Sequence, residues 1–504
     1  MKLDYKITLF VVVLISFFMP LGLVPLFNLD EGAFSEATRE MLVNHDFITT
    51  YLNGTLRFDK PILIYWFQAL SVSVFGLNEF ALRLPSAIAG ALWVYSIWWF
   101  SRKYFDEKTS FLASIFMVTA LQIGIIAKAA IADSLLNMTI AFAMFNIWLY
   151  LDKKDKKYLY LTFAFIGIGT LTKGPVAIMI PLVVTFIYLA IKRDLKLFFK
   201  MIFDIKGIAI FLIIAMPWYI LEYQAQGMKF IDGFLLKHNI QRFDSSLEHH
   251  KGSMFYYIPV LILGFLPFTL FLGNVFKNIK EIFKNDMFLF LFIWFAFVFL
   301  FFSLSGTKLP HYVIYGYTPL FIFMAYYFKG VNFWLFSFTL FFIGVLFFIP
   351  DLAHMFEDKI KNSYAKEIVD SMNFYFNIDY KVSVAIIFAI ILGTIFIKIS
   401  DVKKITIIGV SFISLVNFIV LPSYARMVEL PIKEAAMIAK THHFKVVMYK
   451  LNTPSFMVYS ESLVQKRVPK IGDYVITKPK GLKHLKHFSV IYHKNGIYLV
   501  KVKK

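Results

Sequence analysis

The chain has 504 residues, 59% of them hydrophobic, and a mean hydropathy of +0.68; soluble domains sit nearer 45–50% on a closely similar residue set. Sixty phenylalanines and long apolar runs make the bilayer the natural solvent for much of the molecule. With 52 basic against 32 acidic side chains the formal charge is +20. The basic stretches carry no Gly-rich or RNP-like aromatic motif, so nucleic acid is excluded as the partner, and the absence of cysteine removes disulfides, thiolate catalysis and Cys-ligated metals.

In chain order, the first apolar run covers Ile7–Phe27 behind Lys2 and Lys6. No small-residue cleavage site follows it, which predicts a retained helix rather than a signal peptide. Asn28–Phe80 does not span and reads as a loop with short amphipathic helices. Further spans are predicted at Ala81–Phe100, Thr109–Ala127, Ser134–Leu151, Tyr158–Thr172, Pro175–Ile191, Gly207–Leu221 and Phe255–Val275. Met287–Ser305, Tyr312–Phe328, Val331–Pro350, Val382–Ile397 and Ile405–Leu421 complete a polytopic α-helical protein of about 13 transmembrane helices. Basic clusters at 102–108, 153–157, 192–206, 277–284 and 403–404 all fall in loops that a cytoplasmic N terminus leaves inside. The long segments 28–80, 222–254 and 351–381 then lie outside, as expected for a multi-pass protein of the cell inner membrane.

After residue 422 the apolar runs stop. Residues 1–422 read as the membrane domain and 423–504 as a small external, periplasmic α/β domain. Helical periodicity covers Glu429–Thr441, short strands are predicted at Phe444–Tyr449 and Tyr474–Lys478, and Ser489–Val500 reads as a hairpin about Asn495-Gly496. This domain holds 16 basic and 4 acidic side chains, a net +12. That is either a solvated face or an attraction for anionic lipid or lipopolysaccharide phosphate.

Ionisable groups gather where the first outer loop meets the membrane. Leu29-Asp30-Glu31-Gly32-Ala33-Phe34-Ser35-Glu36-Ala37-Thr38-Arg39-Glu40-Met41 is followed by Asn53-Gly54, by Asp59-Lys60-Pro61 leading to Tyr65-Trp66, and by Asn78-Glu79-Phe80-Ala81-Leu82-Arg83-Leu84-Pro85-Ser86. Leu171-Thr172-Lys173-Gly174-Pro175, His238-Asn239-Ile240-Gln241-Arg242-Phe243 and Thr307-Lys308-Leu309-Pro310-His311-Tyr312 come later in the chain. In this order the motifs resemble the GT-C glycosyltransferase superfamily (families 39 and 83), which holds the lipid A aminoarabinose transferases and the protein O-mannosyltransferases. The similarity runs through the whole membrane portion.

The resemblance implies a GT-C fold and transfer of a sugar from a polyprenyl (undecaprenyl) phosphate donor. The implied acceptor is lipid A or a related glycolipid, or alternatively a protein Ser/Thr. Such a reaction needs a base for the acceptor hydroxyl and cations for the departing phosphate. Asp30 is the candidate base, with Glu31 and Asp133 as further catalytic carboxylates; Asp30 could instead cap a surface helix, and Asp133 the helix that follows it. Lys60, Arg242, Tyr312 and Lys308 are candidate ligands of the lipid phosphate, although Arg242 could pair with Asp244 or Glu248 and Lys60 could snorkel to headgroups. Asp59 and His238 could together hold a divalent metal such as zinc. This chain has Asp59 where the aminoarabinose transferases carry Glu, and Ala33 where many relatives place Arg. A transporter or lipid flippase is the rival from another class, but its ionisable groups would sit near the midplane on broken helices of paired repeats, and no halves repeat here.

Overall fold

Residues 4–234 and 252–504 are described by a computed structural model. Six helices in it are long and apolar enough to cross a membrane: Glu79–Ser101, Asp133–Lys153, Ile205–Gln226, Asp286–Leu304, Ile378–Phe396 and Asp401–Val428. Helices satisfy their own backbone groups, which is what lipid demands, and the protein is a multi-pass membrane protein. Lys156–Lys173, Val176–Ile191 and Phe333–Phe347 follow three further apolar runs as single helices.

Elsewhere the apolar runs are shorter or broken, and proline is the usual cause. The Tyr5–Val13 helix extends through one π-helical stretch, Leu14–Phe18, and ends well before the expected Phe27; Pro20, Gly22 and Pro25 cannot continue it. Phe255–Val275, expected to cross as one helix, bends by 110° between Tyr257–Gly264 and Thr269–Lys277, and Pro267 sits at the break. Thr109–Ala127 divides at Ala120 into Glu107–Thr119 and Leu121–Ile126. The run beginning at Tyr312 opens as a 3₁₀ helix, Pro310–Gly316, before Thr318–Tyr326. Among the described residues, six long helices thus stand beside a set of shorter or broken ones.

The breaks leave the alternation of loops intact. Tyr104 donates to Asp152 (2.8 Å), Lys156 pairs with Asp204 (3.0 Å) and Lys192 with Asp286, so the basic loops gather at one end of the bundle. At the other end, Glu31 accepts from the Ala130 N–H, Thr49 donates to Glu222, and Trp218 Nε1–H donates to the Ile48 carbonyl.

That second end also carries the chain after residue 428. Leu430–Thr441 packs on a five-stranded sheet with the order Gln465–Lys466, Val446–Met448, Tyr474–Thr477, Ile497–Val502, Phe488–Lys494. The first two pairings are parallel and the last two antiparallel. Its core includes Ile432, Phe456, Ile476 and Leu499. The predicted helix and hairpin are present within a residue or two; the Pro454–Ser460 helix has no counterpart in the sequence reading.

This unit grips the first loop. Asn28 Nδ2 donates to Glu429 (2.8 Å) and to Ser455 (2.7 Å), and Asn53 exchanges two hydrogen bonds with the Val464 backbone. Asn53-Gly54 forms the turn of a two-residue hairpin, both residues with positive φ. Burial continues from Glu31 to Met41 on every side of the Asp30–Asn44 helix, so this element is packed inside protein and is not an amphipathic helix lying on the membrane.

Candidate active site

Local chain chemistry places each ionisable group. Asp30 is the first residue of the Asp30–Asn44 helix, where the positive end of the helix dipole favours a carboxylate. It is not the cap: Leu29 occupies that position, with no side-chain capping bond. Asp133 likewise opens the Asp133–Lys153 helix. Lys173 ends the Lys156–Lys173 helix because Gly174 follows at φ +72° and Pro175 starts the next one. The Pro310–Gly316 turn delivers His311, Tyr312 and Tyr315 together.

A cavity of about 210 Å³ opens between these helix ends, lined among others by Asn28, Asp30, Glu31, Arg83, Lys128 and His311. Its floor is a buried ion pair. Arg83 binds Glu31 through two N–H groups at 2.7 and 2.8 Å and donates to the carbonyls of Leu21, Val24 and Pro25. Glu31 also accepts from the Phe27 and Ala130 amides. Burial would raise the Glu31 carboxyl, but Arg83 and these donors hold it below its ordinary value.

Beside it stands a second buried group. Lys173 Nζ and Tyr315 Oη each donate to Asp133 Oδ1 at 2.6 Å. His311 Nε2 lies 3.9 Å from the same oxygen. His311 also interacts electrostatically with Lys173, Asp30 and Lys60. It is thus the point on which the first loop, the Gly174 turn and the 310–316 turn converge. Burial pushes its imidazole below the ordinary histidine range despite the Asp133 carboxylate, so it is neutral near pH 7. The Tyr312 ring meets the His311 ring edge-on at 5.0 Å.

Asp59 and Lys60 lie on the same side: Lys60 Nζ donates to Asp59 Oδ1 at 2.7 Å, and Arg57 reaches Asp59 at 3.2 Å. Arg57 sits over the Phe34 ring and is also within electrostatic range of Asp30. Glu31, Asp59 and Asp133 each hold a cation. Asp30, by contrast, is exposed and makes no hydrogen bond or ion pair among the described residues.

Lys308 behaves differently from its fellow candidates. It is buried, and its ammonium donates to the Ser303 and Ser305 carbonyls at the end of the Asp286–Leu304 helix. Arg242 and His238 lie outside the described residues. Asp59 is bonded to two cations, and among the described residues no three His, Asp or Glu side chains cluster as metal ligands.

Several participants had no assigned role in the sequence reading. Arg83, Lys173 and His311 stood in the quoted motifs, and Lys128 and Tyr315 stood outside them. Lys128 is buried, donates to the Gly124 carbonyl and lines the cavity. Burial, helped by Arg83 and opposed by Glu31, pushes its amine down to about 7. An ionisable residue between two apolar runs is expensive unless it serves a site, and that signal applied to Lys128.

Known proteins can be set beside this geometry. Residues 59–221 match the family model described as dolichyl-phosphate-mannose-protein mannosyltransferase. An uncharacterised protein of Aquifex aeolicus is 31% identical over 326 residues, covering 64% of this chain and 73% of that one. An undecaprenyl phosphate-alpha-4-amino-4-deoxy-L-arabinose arabinosyl transferase of Wigglesworthia glossinidia brevipalpis is 30% identical over 338 residues, 64% of this chain and 58% of its own length. The crystal structure of ArnT from Cupriavidus metallidurans bound to undecaprenyl phosphate superposes with a TM-score of 0.81 over 98% of this chain and 97% of that chain, at 20% identity. The chain has the GT-C glycosyltransferase fold. An oligosaccharyltransferase of Archaeoglobus fulgidus, at a TM-score of 0.53 and 12% identity, shares the GT-C fold more distantly. The alignments cover under three fifths of the length of the arabinosyl transferases they match.

Proposed function

We propose that this GT-C protein transfers a sugar from a polyprenyl phosphate carrier to an acceptor hydroxyl on the outer face of the inner membrane, with lipid A or a related anionic glycolipid as the acceptor. The reading rests on one observation: carboxylates and cations from three separate segments meet around His311, which lines the cavity between the helix ends. In the reaction the acceptor oxygen attacks the anomeric carbon. The bond from that carbon to the phosphate oxygen breaks, and polyprenyl phosphate leaves with the electron pair. No strong acid is needed, because phosphate is already a good leaving group.

Asp30 takes the acceptor proton. Among the acids lining the cavity it is the one not held by a cation within the described residues, which leaves its oxygens available to accept the proton. Lys60, oriented by Asp59, supplies charge to the developing phosphate, with Tyr312 and Arg242 as further donors. Asp133, locked by Lys173 and Tyr315, orients the donor sugar through its remaining oxygen. Glu31 is a positioning residue: its pair with Arg83 fixes the turn from which Asp30 projects.

The family model and the arabinosyl transferases among the relatives both support a polyprenyl phosphate sugar as the donor class. The net +12 after residue 422 agrees with an anionic acceptor. Purified protein in detergent, given a polyprenyl phosphate sugar and lipid A, should produce glycosylated lipid A by mass spectrometry. A transporter would give no product without a sealed compartment. Cells lacking the protein should lose the same modified lipid A species; an unchanged lipid A spectrum beside missing glycopeptides would move the acceptor to protein.

A further inference from the structure

A second cavity, of about 670 Å³, lies at the same end of the molecule, and nothing in the proposed reaction uses it. It is enclosed by the ends of the Ser363–Tyr375 and Ile378–Phe396 helices, by residues 418–430, and by the tip of the Phe488–Lys494 strand. Its polar lining includes Asn373, Asn377, Ser383, Ser423, Arg426 and Lys494, with Asp379 the acid among the lining residues. Arg426 is exposed and makes no ion pair or hydrogen bond among the described residues. Lys494 is held at 3.1 Å from both oxygens of Glu434.

The walls are pinned in place. Asn495, in the turn of the hairpin, donates to Tyr375 Oη (2.9 Å) and to the Met427 carbonyl (2.8 Å), tying the hairpin to two helices. A Cβ at Gly496 would stand 2.6 Å from the Tyr364 ring, so the turn is seated closely against the Ser363–Tyr375 helix. The rim, in contrast, is greasy: Phe374 and Ile378 are 75% and 70% exposed, as side chains facing lipid would be. Leu421 lines the candidate active cavity while Phe418, Ile419 and Pro422 line this one. A single turn of helix is the partition between them.

A guanidinium with no protein partner among the described residues, ringed by amide and hydroxyl groups, matches the geometry of a phosphate. An apolar rim at membrane level requires that the phosphate belong to an amphiphile with tails in the bilayer. We propose that this cavity binds the phosphorylated headgroup of an amphiphile, with Arg426 as its principal anion ligand, next to but separate from the donor site. The catalytic residues proposed above are other ones, but a phosphorylated glycolipid held here would lie one helix from the reacting groups. Bulk phospholipid offers the same phosphate chemistry.

The test uses the full-length protein in nanodiscs and measures retention of lipid A, phosphatidylglycerol and undecaprenyl phosphate by native mass spectrometry, for the parent, Arg426→Lys and Arg426→Glu. Loss of a charge-assisted contact to phosphate is expected to weaken retention about tenfold in Arg426→Glu, and Arg426→Lys should keep most of it with an unchanged melting temperature. A loss confined to lipid A supports the site with a glycolipid occupant. An equal loss for phosphatidylglycerol supports it with a phospholipid occupant. Undiminished retention of both by Arg426→Glu overturns the proposal, and so does an equal fall in undecaprenyl phosphate binding, which would make the cavity part of the donor site. Arg426-dependent retention in a protein that transfers no sugar would leave this site standing and remove the function proposed above.

Discussion

Single residues at the cavity separate by what already holds them. Asp30 has no protein partner among the described residues, so replacing it should remove reactivity and leave the fold intact. Asp30→Asn is expected to lower transfer by at least ~10²–10³, with an unchanged melting temperature; near-normal turnover of the variant would take Asp30 out of the mechanism. Lys128 adds a pH signature. A buried lysine whose folded value falls to about 7 is protonated in the cavity below pH 7 and neutral above it. The unfolded chain binds the extra proton up to roughly 10.4, so stability should rise with pH from about 7 towards 10. In the folded protein, anion binding should instead strengthen as pH falls through about 7. Lys128→Met should flatten both profiles, measured by thermal melts and by polyprenyl phosphate binding between pH 6 and 9; a dependence that survives the substitution would refute the assignment. Asp30 stands out in the sequence because an acid at the mouth of an apolar helix needs a reason to be there, and in the structure it lines the cavity. Lys128 escaped because no paired motif flanks it and its environment is made by Glu31 and Arg83, distant in the chain.

Among elements, the Asp30–Asn44 helix carries the most constraint. A polar sequence after a spanning helix suggests a solvated surface element, yet burial runs unbroken through Glu31–Met41. Its acids explain how: Glu31 is met by Arg83, Glu36 by Arg39, and Glu40 by the Asn53 and Gly54 amides. Periodicity cannot reveal this, since a charge neutralised by a partner fifty residues away reads locally as a solvated one. Removing one partner of a buried pair leaves the other charge stranded. Arg83→Met should therefore destabilise the protein by ~3–5 kcal/mol, while Arg83→Met with Glu31→Gln should recover part of the loss. Thermal unfolding in detergent reads both, and a double variant no better than the single one would show that the pair is not the stabilising unit. Broken helices were equally hidden: hydropathy finds Phe255–Val275 but not its 110° bend, which depends on Pro267.

At the scale of the whole molecule, charge distribution was a sound guide. The basic loops assigned to one side do meet there, through Tyr104–Asp152, Lys156–Asp204 and Lys192–Asp286, because each rests on a count of helices that is insensitive to where a helix bends. The grip of the last eighty residues on the first loop was not legible. It is built from single contacts across more than four hundred positions, such as Asn28 to Glu429 and Asn53 to Val464, and no periodicity links such pairs. Gly32 marks the closest approach: a Cβ there would stand 2.6 Å from the Ser455 backbone nitrogen and 3.1 Å from its Cα. Backbone cannot swing aside as a side chain can, so Gly32→Ala must push the Pro454–Ser460 helix away from the turn that carries Asp30. The helix-propensity gain of alanine over glycine, about 1 kcal/mol, acts in the opposite direction. The clash should win, giving a lower melting temperature and a several-fold slower transfer. Gly344→Ala, in a helix where nothing stands within 4 Å of the added carbon, receives the propensity gain alone and should melt no lower than the parent. If Gly32→Ala matched Gly344→Ala in both stability and turnover, the two ends of the chain would not be coupled at the active cavity.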